Sequence, residues 1–348
     1  MEKRIQWADA LRGALILMIV YGHTASNGDP LKHYVYSFHV AAFFFLSGYL
    51  FSCGKDGFKV FLKKKFTSLM IPYYIFALIS IFIFTLLGAF ASDALDVAIK
   101  HKEVYKNVFG MLYASAVEGY MKWNVPLWFL PCMFVTQLLF YPVSGFLKRC
   151  MKKSKFYLLP LVFSAFILPY LDYFVFRVRA LPFHLESSVF LMPFFVFGAC
   201  QREADFKTSS PSLKKWAVSV LLIVCGAIPA LFMNCRVNYF LSSYGKITVF
   251  YGSAFLSVTG IFMIFKRVSS RILSFIGKNT LPILLMHKFP IVFFQIALSP
   301  LFEKTGILHT LTAILVSFAS CAMCIAAGKI LENFAPIMIG KSNKSNAS

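Results

Sequence analysis

The sequence predicts an all-α, polytopic membrane helix bundle of about ten transmembrane helices. Three observations carry this. Of its 348 residues 59% are hydrophobic and only 14% charged, far more apolar than a soluble domain of that length requires. The apolar residues fall in runs of about 20, the length that spans a hydrocarbon core as a helix. None of the runs shows the ten-residue in–out alternation of a membrane β-barrel.

Taken in order, the expected spans cover residues 7–24, 34–51, 66–90, 125–146, 156–176, 187–200, 216–235, 247–265, 280–298 and 308–330. The first keeps polar residues and has no small-residue cleavage site, so it reads as a retained helix and not a signal peptide. The sixth is short and is expected to begin earlier, near His184. The ninth contains Pro282 and Pro290, which predict a kink or a broken helix. The one sizeable connection, residues 91–124, carries an amphipathic stretch over 93–106. The organisation is a single transmembrane domain over residues 1–340 with a polar tail at 341–348.

The formal net charge of +21 raises nucleic acid as a partner, but the charges cluster in short loops between apolar runs. That is the pattern of the positive-inside rule, so no nucleic-acid partner is expected. One set of alternate connections, with the two ends of the chain, holds most of the 35 Lys and Arg residues: Lys55, Lys59, Lys63, Lys64 and Lys65; Lys148, Arg149, Lys152, Lys153 and Lys155; Arg202, Lys207, Lys214 and Lys215; Lys266, Arg267, Arg271 and Lys278; Lys3 and Arg4 at the start; and Lys329, Lys341 and Lys344 at the end. Both termini and the 59–65 loop are therefore predicted to be cytoplasmic, in a multi-pass protein of the cell (plasma or inner) membrane. The eight cysteines lie mostly in or beside apolar segments, imply no disulfide framework and form no metal cluster.

Ionisable residues inside such spans are expensive and mark functional sites. The first span holds Asp9, Arg12 and His23. Asp9 and Arg12 are three apart and therefore adjacent on a helix, whereas Arg12 and His23 share a face roughly 16 Å apart. Imidazole titrates near neutrality, so His23 is the leading candidate for a general base, against the plainer role of a packing histidine. The second span holds His39, and its Ser47-Gly48 pair permits close helix approach. A Ser47–His39 nucleophile pair is the weaker alternative. Trp128, at the start of the fourth span, is a belt residue or a ring for stacking on a sugar. Glu186 needs a partner, for which Arg177 and Arg179 are available, and His287-Lys288 interrupts the ninth span. No phosphate-binding glycine loop, zinc motif or nucleophile elbow is present.

Together these strings resemble the acyltransferase-3 family of membrane O-acyltransferases, in particular its fucose 4-O-acetylase-like branch. The resemblance rests on Asp9-x-x-Arg12-Gly13 followed by His23, on Phe38-His39-Val40-Ala41-Ala42-Phe43-Phe44-Phe45-Leu46-Ser47-Gly48-Tyr49, on Ile71-Pro72-Tyr73, on Leu127-Trp128-Phe129-Leu130, on Phe194-Phe195-x-Phe197-Gly198, and on Phe275-Ile276-Gly277 with His287 beyond. It implies about ten membrane helices. It also implies transfer of an acetyl or other short acyl group from acetyl-CoA, as substrate and not resident cofactor, to a hydroxyl of a glycan or lipid-linked saccharide. By the same resemblance His23 matches the catalytic histidine and Arg12 the arginine that serves the CoA donor. Asp9, the orienting partner of Arg12, is added as a catalytic candidate, and Lys64 and Lys65 as further donor-binding candidates. His39, Ser47, Trp128, Glu186 and His287 are left for the pocket or acceptor. The chain departs from the family in carrying Lys63-Lys64-Lys65 further back than the arginines of many members, with Ser68 in the nearer place. The extracytoplasmic domain of longer relatives has no counterpart, so transfer is expected to finish within the membrane domain or pass to another protein. The alternatives are a transporter or glycolipid flippase, for which paired halves would be expected, and a non-catalytic assembly subunit.

Overall fold

The computed structural model describes residues 5–52, 57–95, 101–203, 212–268, 270–302 and 306–341; Cys53 and the tail beyond 341 lie outside them. Among the described residues every regular element is a helix, apart from one isolated bridge between Asn238 and Ser243. Helices α1 (Gln6–Thr24) and α2 (Pro30–Tyr49) form a hairpin. Then α3 (Phe58–Lys65) runs through a π-helical turn, Phe66–Met70, into α4 (Ile71–Leu95). Pro72 has no N–H to return to the Ser68 carbonyl, which is where the ladder loosens. The long connection carries α5 (His101–Tyr113) and a 3₁₀ segment, Lys122–Trp128, before α6 (Phe129–Lys153). Next come α7 (Leu158–Ser164), α8 (Ile167–Leu171), α9 (Leu185–Glu203), α10 (Leu213–Phe232) and α11 (Ile247–Phe265). The chain finishes with α12 (Arg271–Lys278), α13 (Thr280–Met286), α14 (Lys288–Ala297), α15 (Ser299–Phe302) and α16 (Ile307–Phe334).

Seven of the described spans are long and apolar enough to cross a membrane, and the bent pair α13–α14 makes eight. The other two of the expected ten are α1 and α2. At 19 and 20 residues both reach the roughly 30 Å of a hydrocarbon core. Their hydropathy is lower because they are enclosed: α1 packs against α2, α11, α12, α13, α14 and α16, and α2 also packs on α9, α10 and α11. Helices in that position can carry Asp9, Arg12, His23 and His39 without presenting them to lipid. The peripheral elements show the reverse. Phe163 is 67% exposed and Phe232 82%, an outer surface suited to acyl chains and not to water.

Two glycine contacts set the spacing of the central helices. A Cβ at Gly48 would overlap the carbonyl oxygen of Phe195, and one at Gly198 that of Phe45, so α2 and α9 touch backbone to backbone. Gly13 and Gly277 do the same between α1 and α12. Gly48 thus has the packing role that its pairing with Ser47 suggested.

The sixth span begins near His184 as expected: α9 starts at Leu185, directly after a 3₁₀ turn at Pro182–His184. Two expectations need correction. The 59–65 segment is helix, continuous with the third span, because nothing in Phe58–Lys65 breaks it. The fifth is not one smooth helix but α7, α8 and a π turn at Asp172–Phe176.

Candidate functional site

The break expected in the ninth span falls at His287, where α13 and α14 bend by 54°. Pro282 and Pro290 each sit in the first turn of their half, where a missing N–H costs no intrahelical bond. At the bend the His287 Nδ1–H donates to the Ile283 carbonyl at 2.8 Å. A carbonyl only accepts, so the proton is on Nδ1 and the Nε2 lone pair is open. That Nε2 is fully buried and has no hydrogen-bond partner among the described residues.

The imidazole facing it is His23, in the last turn of α1, with ring centroids 5.3 Å apart. His23 is largely surrounded by protein and keeps a part of its surface accessible. His39 stands nearby on α2. Its Nδ1–H donates to the Val35 carbonyl at 2.7 Å, again leaving Nε2 open, and its ring lies 5.1 Å from Tyr36 and 6.0 Å from Tyr239. Tyr36 packs over Gly22, where any Cβ would strike the phenol ring, and its hydroxyl donates to the Gly22 carbonyl at 3.2 Å. The three histidines come from the first, second and ninth spans.

The turn between α1 and α2 closes this end of the bundle. Asp29 caps α2 by accepting the Lys32 N–H at 2.9 Å, and also accepts from Tyr21 at 2.8 Å and Thr310 at 3.0 Å. Burial alone would raise its carboxyl, but these donors outweigh burial and hold it below the usual value.

Asn124 supports the bend from the other side. It is 1% exposed, and its Nδ2 donates to Ser80 Oγ at 3.0 Å and to the Leu285 carbonyl at 3.1 Å. Leu285 is in the last turn of α13, where carbonyls lose their intrahelical partners. Trp123, Phe84 and Phe289 form a stack beside it, with centroids 6.3 Å and 5.9 Å apart. Sequence reading passed over Asn124. The available signal was its place just before Pro126-Leu127-Trp128, a segment noted only for its tryptophan.

Trp128 and Glu186 belong to a second polar cluster. Glu186 is 3% exposed and its Oε1 lies 3.5 Å from His184 Nδ1, while its Oε2 accepts the Leu181 N–H at 3.1 Å. The expected arginine partners are corrected: Arg179 pairs with Asp172 at 3.2 Å. His184 Nε2 accepts the Ala116 N–H at 2.9 Å, and Trp128 packs on the ring at 5.3 Å. With one nitrogen held by backbone and the other toward Glu186, this histidine pins the connecting segments. Tyr239, in contact with His39, also receives a bond from Ser187 on its carbonyl at 3.0 Å and so touches both clusters.

At the opposite end of α1, Arg12 Nη1 donates to Asp9 Oδ1 at 3.1 Å. Beside them is a cavity of about 270 Å³ lined by Gln6, Asp9, Arg271, Ser274, Phe275 and Lys278. Arg271 and Lys278, assigned only to a basic loop by the sequence, thus line a pocket with Asp9. Lys64 and Lys65 are on α3, which packs against α6, whereas the Asp9 cavity lies between α1 and α12; Lys65 Nζ sits 5.5 Å from the Phe61 ring. The Ser47–His39 pair is corrected as well. Eight residues separate them along one helix, about 12 Å of rise, and His39 Nδ1 is already bonded to Val35.

An all-α membrane bundle with a histidine cluster at one end and a cation-lined cavity at the other defines a multi-pass membrane protein with an intramembrane polar site. The acyltransferase-3 family model (Acyl_transf_3, an acyltransferase domain) matches residues 5–327, nearly the whole chain, and the protein belongs to this family of membrane acyltransferases. The match is to the family as a whole and does not single out the fucose 4-O-acetylase-like branch. No match was found among curated proteins or solved structures.

Proposed function

We propose that the protein is an O-acyltransferase that moves an acetyl or similarly short acyl group from acetyl-CoA to a hydroxyl of a cell-envelope or exported glycan, free or lipid-linked. The observation that supports this most is the His23–His287 pair enclosed within an acyltransferase-family bundle, with an open Nε2 on His287. In the proposed step His23 takes the acceptor hydroxyl proton as the oxygen attacks the thioester carbonyl. A carbon–oxygen bond forms, the carbon–sulfur bond breaks, and the CoA thiolate leaves with the proton returned through the imidazole. His287, with Nδ1 committed to Ile283, offers Nε2 to receive or relay that proton.

The donor enters from the Asp9–Arg12 end. Arg12, held by Asp9, and the cavity residues Arg271 and Lys278 are suited to CoA phosphates, with Lys64 and Lys65 adding charge to that face. With both termini cytoplasmic in the plasma or inner membrane, this end meets cytosolic acetyl-CoA. Incubation of the purified protein with radiolabelled acetyl-CoA and candidate glycans tests the reading. Label should appear in an ester-linked glycan with the parent protein and not with His23→Gln. Absence of transfer to every acceptor class, with acetyl-CoA bound, would remove it.

A further inference from the structure

Three cations gather at the histidine end of the bundle, and none of them has a carboxylate partner among the described residues. Lys32 is 7% exposed, and its ammonium donates only to the Ala25 carbonyl at 2.8 Å and Asn27 Oδ1 at 3.2 Å. Arg236 donates to Asn27 Oδ1 at 2.8 Å and to the Asn27 carbonyl at 3.2 Å. Both lie over the ring of Tyr36, Lys32 at 5.7 Å and Arg236 at 5.9 Å from its centroid. Tyr36 in turn packs over Gly22, next to His23. Lys288 follows His287 at the bend, is largely enclosed, and makes no hydrogen bond or ion pair to a described residue. Lys288 and Lys32 are both within electrostatic reach of His23. The one acid beside them among the described residues, Asp29, is held ionised by the Lys32 N–H, Tyr21 and Thr310, and a single carboxylate leaves the three cations in excess.

Holding like charges together in a shielded place is unfavourable unless something negative enters. The neighbouring His287 Nε2 is buried and has no partner among the described residues, and its ring lies 5.3 Å from that of His23. A histidine pair with Lys32, Arg236 and Lys288 around it, and a single acid near by, suits an anion carrying a hydroxyl close by. We infer that the acceptor is an anionic saccharide, its carboxylate or phosphate held by Lys32, Arg236 and Lys288 so that a ring hydroxyl meets His23. This deepens the acyltransferase reading and rests on it for the role of His23.

The test measures direct binding to the purified protein in lipid nanodiscs, using glucuronic acid, glucose 1-phosphate, glucose and inorganic phosphate. The two charged sugars should bind roughly tenfold or more tightly than glucose, the effect of one charge-assisted contact, and added salt should narrow the gap. Glucuronic acid and glucose 1-phosphate together show which anion the site prefers. Lys288→Met and Arg236→Gln should each shrink the preference, and Lys288→Arg, which keeps the charge, should retain it. Glucose binding as tightly as both charged sugars overturns the inference, as does a preference that survives both charge removals. Phosphate alone binding as well as glucose 1-phosphate overturns the assignment to a saccharide. Competition by acetyl-CoA overturns it too, by giving the cluster to the donor. Acyl transfer is assayed in parallel. Anion preference without any transfer removes the acyltransferase reading and leaves the binding site standing; equal transfer to neutral and charged saccharides leaves the enzyme standing and removes the anion site.

Discussion

His23 and His287 approach from opposite ends of the chain to place their imidazoles 5.3 Å apart, and the Nε2 of His287 is left open by the bond from its Nδ1 to Ile283. This pairing leads to the first prediction. His23→Gln preserves size and some hydrogen bonding but cannot take a proton. Acyl transfer should fall by on the order of 10²–10⁴-fold, with CoA affinity and membrane insertion retained. A rate within a few-fold of the parent would move the base elsewhere, to His39 or His287.

Arg12 should act at the donor. Its guanidinium is oriented by Asp9 at 3.1 Å, and a lysine ammonium cannot reproduce a planar two-point contact. Arg12→Lys should weaken CoA binding measurably, and Asp9→Asn should do so more mildly. Unchanged affinity in Arg12→Lys would leave this arginine with a structural role only.

Asn124 makes a prediction about stability. Removing its side chain strips the Leu285 carbonyl and Ser80 of a buried donor. Asn124→Ala should cost about 1–3 kcal/mol, seen as a lower melting temperature in detergent. An unchanged melting temperature would mean that the bend at His287 stands without this support.

Gly48 and Gly145 form a contrasting pair. A Cβ at Gly48 would overlap the Phe195 carbonyl, whereas one at Gly145 meets open space within α6. Gly48→Ala should destabilise by roughly 1–3 kcal/mol or prevent assembly, because a backbone contact has little room to yield. Gly145→Ala should be neutral or gain up to about 1 kcal/mol from helix propensity. Thermal unfolding of the two variants side by side decides the point.

Topology gives the fifth prediction. The Lys and Arg asymmetry predicts that Lys64 and Lys344 are in the cytoplasm. Single-cysteine labelling or reporter fusions at those positions should read as internal, and an external signal at either would reverse the proposed donor side.

The sequence by itself determined the class of fold, the near-complete set of spans, the bend in the ninth and the residues worth watching. Hydrophobic run length, proline position and the cost of charge in a bilayer are local properties, readable from neighbours along the chain. They could not say which polar residues meet. A buried histidine on an apolar helix has the same sequence context whether it packs, pairs or lines a cleft. His23 was visible as a candidate; that it faces His287, with Tyr36, His39 and Lys288 near, was decided by the bend between α13 and α14 and by where α1 packs. The same holds for Glu186. Nearby arginines suggested a partner, but the left-handed backbone at Phe183 and His184 turns His184 toward it, and Arg179 goes to Asp172. Asn124 and the cluster of Lys32, Arg236 and Lys288 arise from four separate stretches of chain, and only the packing of helices against one another brings each to its place.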